Sequence, residues 1–136
     1  MTKENHSVFK QIEYFGNDET GTVKSIAAGM SHSGCVLDSG EVFLWGVIID
    51  LQQLQTQQEK EKAVFKQPTK VAFGGSGAEK RRSQAAFEDN VLVDDIKLGE
   101  YFTLALSRKG AVYCWGSNLC GQLAQPAESK FSFSPV

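Results

Sequence analysis

The stretch IAAGMSHSGCVLDSGEVFLWG, residues 26–46, recurs without a gap as IKLGEYFTLALSRKGAVYCWG, residues 96–116. In that alignment Ile26/Ile96, Gly29/Gly99, Gly40/Gly110, Val42/Val112, Trp45/Trp115 and Gly46/Gly116 are identical. Ser33/Thr103, Cys35/Ala105, Val36/Leu106 and Phe43/Tyr113 are close replacements. Both tryptophans of the chain fall in register, which chance does not produce. A fixed internal period is the mark of a repeat architecture, and this one decides the fold.

Each block carries strand punctuation. Asp38-Ser-Gly40 and Arg108-Lys-Gly110 are tight-turn signals between apolar runs. Before the second turn, alternation puts Phe102, Leu104 and Leu106 on one face and Thr103 and Ala105 on the other. The first copy keeps the small face as Ser33 and Cys35. After the turn, Val42 and Leu44 face one way, Phe43 and Trp45 the other. Small faces opposed to large ones suit stacked sheets that must interdigitate. Cys35 and Cys114 lie inside these strands and read as small buried hydrophobes.

A second echo flanks the first. Val8-Phe-Lys-Gln11 recurs as Val64-Phe-Lys-Gln67, each followed by Phe-Gly, at Phe15-Gly16 and Phe73-Gly74. The repeat thus divides the chain into a tail (1–7), a first repeat (8–62) and a second (63–127). Residues 128–136 begin a truncated third. The first repeat carries a Gln-rich insertion, 50–62, whose Leu51 and Leu54 suit one side of a short helix. The second carries a Gly-rich insertion, 74–90, that reads as a flexible loop. Insertions at repeat boundaries collect on one face, where repeat proteins often bind partners. Short strands with little helix give an all-β class, a propeller or related array.

Composition removes other classes. The 136 residues are 41% hydrophobic and 22% charged, with net charge −2, so nothing draws the chain toward nucleic acid or anionic membrane. No apolar run approaches the length of a membrane-spanning helix, and Met1–Ser7 lacks the apolar centre of a secretory signal. Three cysteines and two histidines without zinc-ligand spacing predict no metal site and no cofactor. Reduced thiols suit an intracellular protein, cytoplasmic or nuclear. Gly74-Gly-Ser-Gly-Ala-Glu-Lys80 lacks the Gly-Lys-Ser/Thr ending of a phosphate loop and reads as a linker. Lys80-Arg81-Arg82 reads as a solvated loop beside Glu88, Asp89, Asp94 and Asp95. With His32 the sole histidine in an expected strand, no catalytic set can be assembled.

The blocks resemble the regulator-of-chromosome-condensation (RCC-type) repeat family. The second copy carries its pattern as Ile96-Lys-Leu-Gly99, Gly110-Ala-Val-Tyr-Cys-Trp-Gly116 and Ser117-Asn-Leu-Cys-Gly-Gln-Leu123. The first copy departs after Gly46, where Val47-Ile-Ile-Asp50 replaces the Asn-x-x-Gly-Gln-Leu segment. The resemblance implies four-stranded antiparallel blades of a seven-bladed propeller. This chain has room for a partial set, so the expectation is a piece of a longer protein or a propeller completed by another chain. It also implies Gly29, Gly40, Trp45, Gly46, Gly99, Gly110, Trp115 and Gly116 as structural positions, and His32 as a hydrogen-bonding residue at a strand start.

Family members divide into exchange factors for Ran-type small GTPases and propellers that bind proteins in ligase, kinase or cilium settings. The wording around Gly46 is closest to the exchange factors, whose loop after the repeat glycine carries acids. Here Met30 follows Gly29, and Glu100 then Tyr101 follow Gly99. One acid is lost and the other displaced. The expectation is therefore a non-enzymatic protein-interaction module. Exchange activity on a small GTPase comes second, and a structural part in a cytoskeletal or ciliary assembly third. Met30, Ser31, His32, Asp50, Glu100, Tyr101 and Phe102 are the candidate partner-binding residues.

Overall fold

A computed structural model describes residues 8–73 and 91–136. The N-terminal tail, the Gly-rich insertion and the Lys80-Arg81-Arg82 cluster lie outside the described residues. The strands are β1 (Val23–Ala28), β2 (His32–Leu37), β3 (Val42–Val47) and β4 (Val64–Lys70), then β5 (Val93–Leu98), β6 (Phe102–Ser107), β7 (Val112–Ser117) and β8 (Phe131–Ser132). They form two four-stranded sheets, ordered β1-β2-β3-β4 and β5-β6-β7-β8, with every pairing antiparallel. These are two blades in the meander order of a propeller.

Sheets and sequence repeats are out of phase. Val64–Lys70, the opening of the second repeat, hydrogen-bonds to β3 and is the outer strand of the first blade. Phe131–Ser132, the opening of the third, does the same for the second blade. The two outer strands bow alike. Gly46 pairs with Phe65 and Leu44 with Thr69, so three residues ending in Pro68 oppose one. In the second blade Gly116 pairs with Ser132, while Cys114 and Val136 exchange backbone hydrogen bonds of 3.2 and 2.9 Å around Phe133–Pro135. A proline has no N–H to give a ladder, so a bulge on an edge strand is where a sheet tolerates it.

One face of the first blade packs on one face of the second. Val36, Val42, Leu44, Val93, Ile96, Ala105 and Trp115 are buried together there. The small residues make the contact close: a Cβ added to Gly34 would sit 2.9 Å from the Ile96 Cδ1 of the other blade. The Phe-Gly echo has a packing role. Phe15 packs edge to face on Phe43 and tilted against Trp45 of the first blade, at 5.5 and 5.8 Å between ring centroids. Phe73 meets Tyr113 and Trp115 of the second edge to face, at 5.4 and 5.7 Å. Cys35 and Cys114 are buried, and burial pushes the Cys35 thiol up to about 11, so both serve as packing atoms.

The Gln-rich insertion contains a 3₁₀ turn (Leu51–Gln53) and a helix α1 (Gln57–Lys62). A capping box starts α1: the Glu59 N–H donates to Thr56 Oγ1, and the Thr56 N–H to the Glu59 carboxylate. The Gln55 N–H, with the Thr56 N–H beside it, donates to the Glu59 carboxylate and holds it below its usual range.

Candidate protein-binding surface

The turns Gly29–Ser31 and Gly99–Tyr101 and the connections 48–63 and 118–130 all meet at one end of the two sheets. Two glycines shape that end. Gly46 and Gly116 have φ of +100° and +110°, and a Cβ there would fall 2.5 Å from the Ser31 carbonyl oxygen and 2.4 Å from that of Tyr101. The same carbonyls accept from the Val47 and Ser117 N–H groups, each at 2.8 Å. Each turn is thus pinned on the end of the third strand of its own blade.

The seven candidates share this end but not one role. Met30 and Glu100 are exposed, and Ser31, Asp50, Tyr101 and Phe102 are half-buried. Ser31 Oγ donates to the Val47 carbonyl, 2.7 Å, locking its turn. Tyr101 has no such hydroxyl bond to its own turn and carries a φ of +60°, an uncommon state for a bulky side chain. Asp50 caps the 3₁₀ turn, accepting from the Gln52 N–H at 3.0 Å. Phe102 lays its ring over Gly99, where a Cβ would come within 2.3 Å of it.

His32 is corrected as a surface contact. Its side chain is 3% exposed, and Nε2 is hydrogen-bonded to the hydroxyl of Thr103 in the other blade, 2.9 Å. Nδ1 makes no hydrogen bond of good geometry. Burial lowers the imidazole pKa, outweighing the opposite pull of the Phe102 carbonyl. A neutral ring tying two blades cannot reach a partner from there.

Two different devices close the connections at this end. In the second blade Asn118 organises the loop: its Oδ1 accepts from the Leu123 N–H, 2.9 Å, and its Nδ2 donates to the Ser129 carbonyl, 2.6 Å. Leu123 is thereby set into the core. The first blade lacks that asparagine and uses apolar residues, burying Ile48, Ile49 and Leu54 in the inter-blade core. The insertion then reaches across. Gln53 accepts from Ser117 Oγ, 2.8 Å, and donates to the Lys130 carbonyl, 2.6 Å, while Lys62 sits over the Phe133 ring. Sequence reasoning missed Gln53, which looks like any glutamine in its segment. It also missed Leu119, an exposed apolar residue inside the polar loop motif. Thr103 was legible only as a small residue aligned with Ser33.

Fold and turn chemistry together define a class: the chain is a partial propeller built of RCC1-type repeats. Residues 93–122 match the family model of the regulator of chromosome condensation (RCC1) repeat, from β5 through the Asn118 loop. Protein pim1 of Schizosaccharomyces pombe is 34% identical over 104 residues, covering 75% of this chain and 16% of pim1. Human WBSCR16 is similar in structure, with a TM-score of 0.60 and 28% identity over 89% of this chain and 26% of that one. Yeast RCC1 (Prp20), solved with Kap60 bound to it, shares the fold at a TM-score of 0.58 and 21% identity, over 84% of this chain and 25% of Prp20. The chain therefore spans a sixth to a quarter of these relatives.

Proposed function

We propose that these blades form a protein-interaction module whose binding end is built from the Gly29–Ser31 and Gly99–Tyr101 turns and the Gln-rich insertion. The observation that carries this is Tyr101. A half-buried tyrosine held at positive φ, beside an exposed glutamate, stands on a turn whose carbonyl is fixed by the Ser117 N–H. Tyrosines on ordered loops make good interface anchors because they present large area at small entropic cost. Yeast Prp20p, described with its binding to Gsp1p and histones, supports reading this architecture as a protein binder. An intracellular setting fits the buried, unpaired thiols Cys35 and Cys114.

The test is site-specific photocrosslinking. A benzophenone side chain is placed at Met30, at Glu100, and at Ser39 in the exposed turn at the opposite end. Protein adducts at the first two positions and none at Ser39 are expected. Adducts equal at both ends, or absent at Met30 and Glu100, overturn the reading.

Nucleotide exchange is the second reading, favoured by the exposed Glu100 carboxylate on its turn. It predicts faster release of fluorescent GDP from a Ran-type GTPase, abolished by Glu100→Gln. No acceleration by folded protein rejects it.

A further inference from the structure

The outer strands of the two blades align as VFKQP, residues 64–68, and FSFSP, residues 131–135, with Val64 opposite Val47 and Phe131 opposite Ser117. Lys66 of the first is thus Phe133 of the second. Between the two strands lies a slot of about 90 Å³. Phe65 and Val71 of the first blade wall one side, Phe133 and Pro135 of the second wall the other, and the buried Trp115 closes the floor. Its lips, Lys70, Ala72 and Ser134, are exposed. The β8 bulge supplies one whole wall, since a bulge re-aims side chains that a straight strand would point elsewhere.

Both blades that build the slot are in this chain. A blade packed before the first would cover Ile26 and Trp45, and one packed after the second would cover Leu106 and Val112. Those residues lie on the sheet faces turned away from the junction, so neither neighbour would fill the slot.

Size and charge select the occupant. About 90 Å³ is well under the roughly 300–1,000 Å³ of small-molecule pockets and suits one branched aliphatic side chain. The rim around it is cationic: residues 62–73 carry Lys62, Lys66 and Lys70, residues 129–136 carry Lys130, and neither stretch has an acid. The chain as a whole has a net charge of −2. Lysines on an outer strand also deter strand pairing, but the Pro68 and Pro135 bulges already do that. Lys62 Nζ lies 5.9 Å from the centroid of the Phe133 ring, a cation resting on the slot wall. Lys70 pairs with Glu41 at 3.5 Å with both side chains well exposed, a pair weak enough for another carboxylate to displace. Among the described residues, Lys66 and Lys130 have no carboxylate within ion-pair distance. Single-stranded nucleic acid meeting lysines stacks its bases on exposed aromatics, and Trp115 is only 1% exposed.

We propose that the slot anchors an acidic segment of a partner protein through one leucine-sized side chain. Carboxylates flanking that side chain meet Lys62 and Lys70, and the field of Lys66 and Lys130 draws the segment in. This rim contact is separate from the turns of the loop end and stands whether or not those turns bind.

The test is a titration of the full chain carrying Trp45→Phe, which leaves Trp115 as the one tryptophan, with the peptide EDELDED. A saturable change in Trp115 fluorescence is expected. Lys70→Gln weakens binding about two- to fivefold, and added salt weakens it further. The peptides EDESDED, without the aliphatic side chain, and KRKLKRK, with the charges reversed, leave the fluorescence unchanged. Ala72→Phe plugs the slot from its lip and abolishes the change; if that variant unfolds by circular dichroism, Ser134→Phe takes its place. If Trp45→Phe unfolds, the anisotropy of fluorescein-labelled EDELDED mixed with the parent chain gives the same readout. No response to EDELDED up to millimolar peptide overturns the proposal, as does equal binding of EDESDED or binding undiminished by the plug. Capture of a single-stranded oligothymidine in place of the peptide overturns it in favour of nucleic acid.

Discussion

At Gly46 and Gly116 a single hydrogen atom decides whether each binding-end turn can be pinned. Alanine at Gly116 must take a strained positive φ, costing about 1–2 kcal/mol, and must push back the Tyr101 carbonyl. Gly116→Ala is expected to lower stability by about 2–4 kcal/mol in urea unfolding, in line with substitutions that strain special backbone positions. His32 gives a second residue-scale expectation. Its folded pKa is lowered, so the unfolded chain binds the proton more readily. Stability present above the unfolded value of about 6.5 is lost as pH falls through that range. The urea midpoint is expected to drop between pH 8 and pH 5, and His32→Gln to flatten the part of that drop due to this residue. The glycines and tryptophans were legible in the sequence because the repeat prints them twice. The burial of His32 was not: it depends on a threonine in the other blade.

At the scale of elements, the Gln-rich insertion is the bracket between blades. It follows Ile48 and Ile49, which stand in the core where the second blade has a polar loop motif, and clasps the second blade through Gln53. Gln53→Ala removes both bonds and is expected to speed amide hydrogen exchange in 50–62 and around Ser117, leaving the β1–β2 pair unchanged. Thr56→Ala removes one arm of the α1 capping box, an effect of about 1 kcal/mol, and the same exchange measurement should show it confined to the insertion. Leu51 and Leu54 suggest a short helix, but α1 contains neither: Leu51 opens the 3₁₀ turn and Leu54 ends it in extended geometry. Leu54 is buried in the core and Leu51 packs, partly buried, against it. The strand pairings followed from alternation and turn residues, but the phase between repeat and sheet did not. Periodicity shows that Val64–Gln67 repeats Val8–Gln11 and is silent about which sheet either joins.

At the scale of the molecule, two blades share one inter-blade core and differ in what lies outside it. Trp115 is buried in the junction while Trp45 is partly open on the free side. In the folded chain acrylamide is expected to quench Trp45 strongly and Trp115 weakly, which Trp45→Phe and Trp115→Phe variants would assign. Equal quenching of the two would contradict the packing of the blades. The Lys24–Asp94–Arg108 cluster at their edge is exposed, and both cations hold the Asp94 carboxyl below its usual range. Its contribution is small and screened by salt, so the apolar junction sets cohesion.

The offset between repeat and sheet has a consequence for how such a chain could grow or be cut. A unit copied at a repeat boundary arrives carrying the strand that completes its predecessor, so each addition hems the blade before it and leaves its own hem to the next. Cutting between Lys62 and Ala63 separates two intact repeats yet strips β4 from the first blade. Cutting within 71–92 severs one connection and leaves all eight strands beside their partners. A protease or an engineer seeking whole blades would have to disregard the repeat and cut where the sheets end.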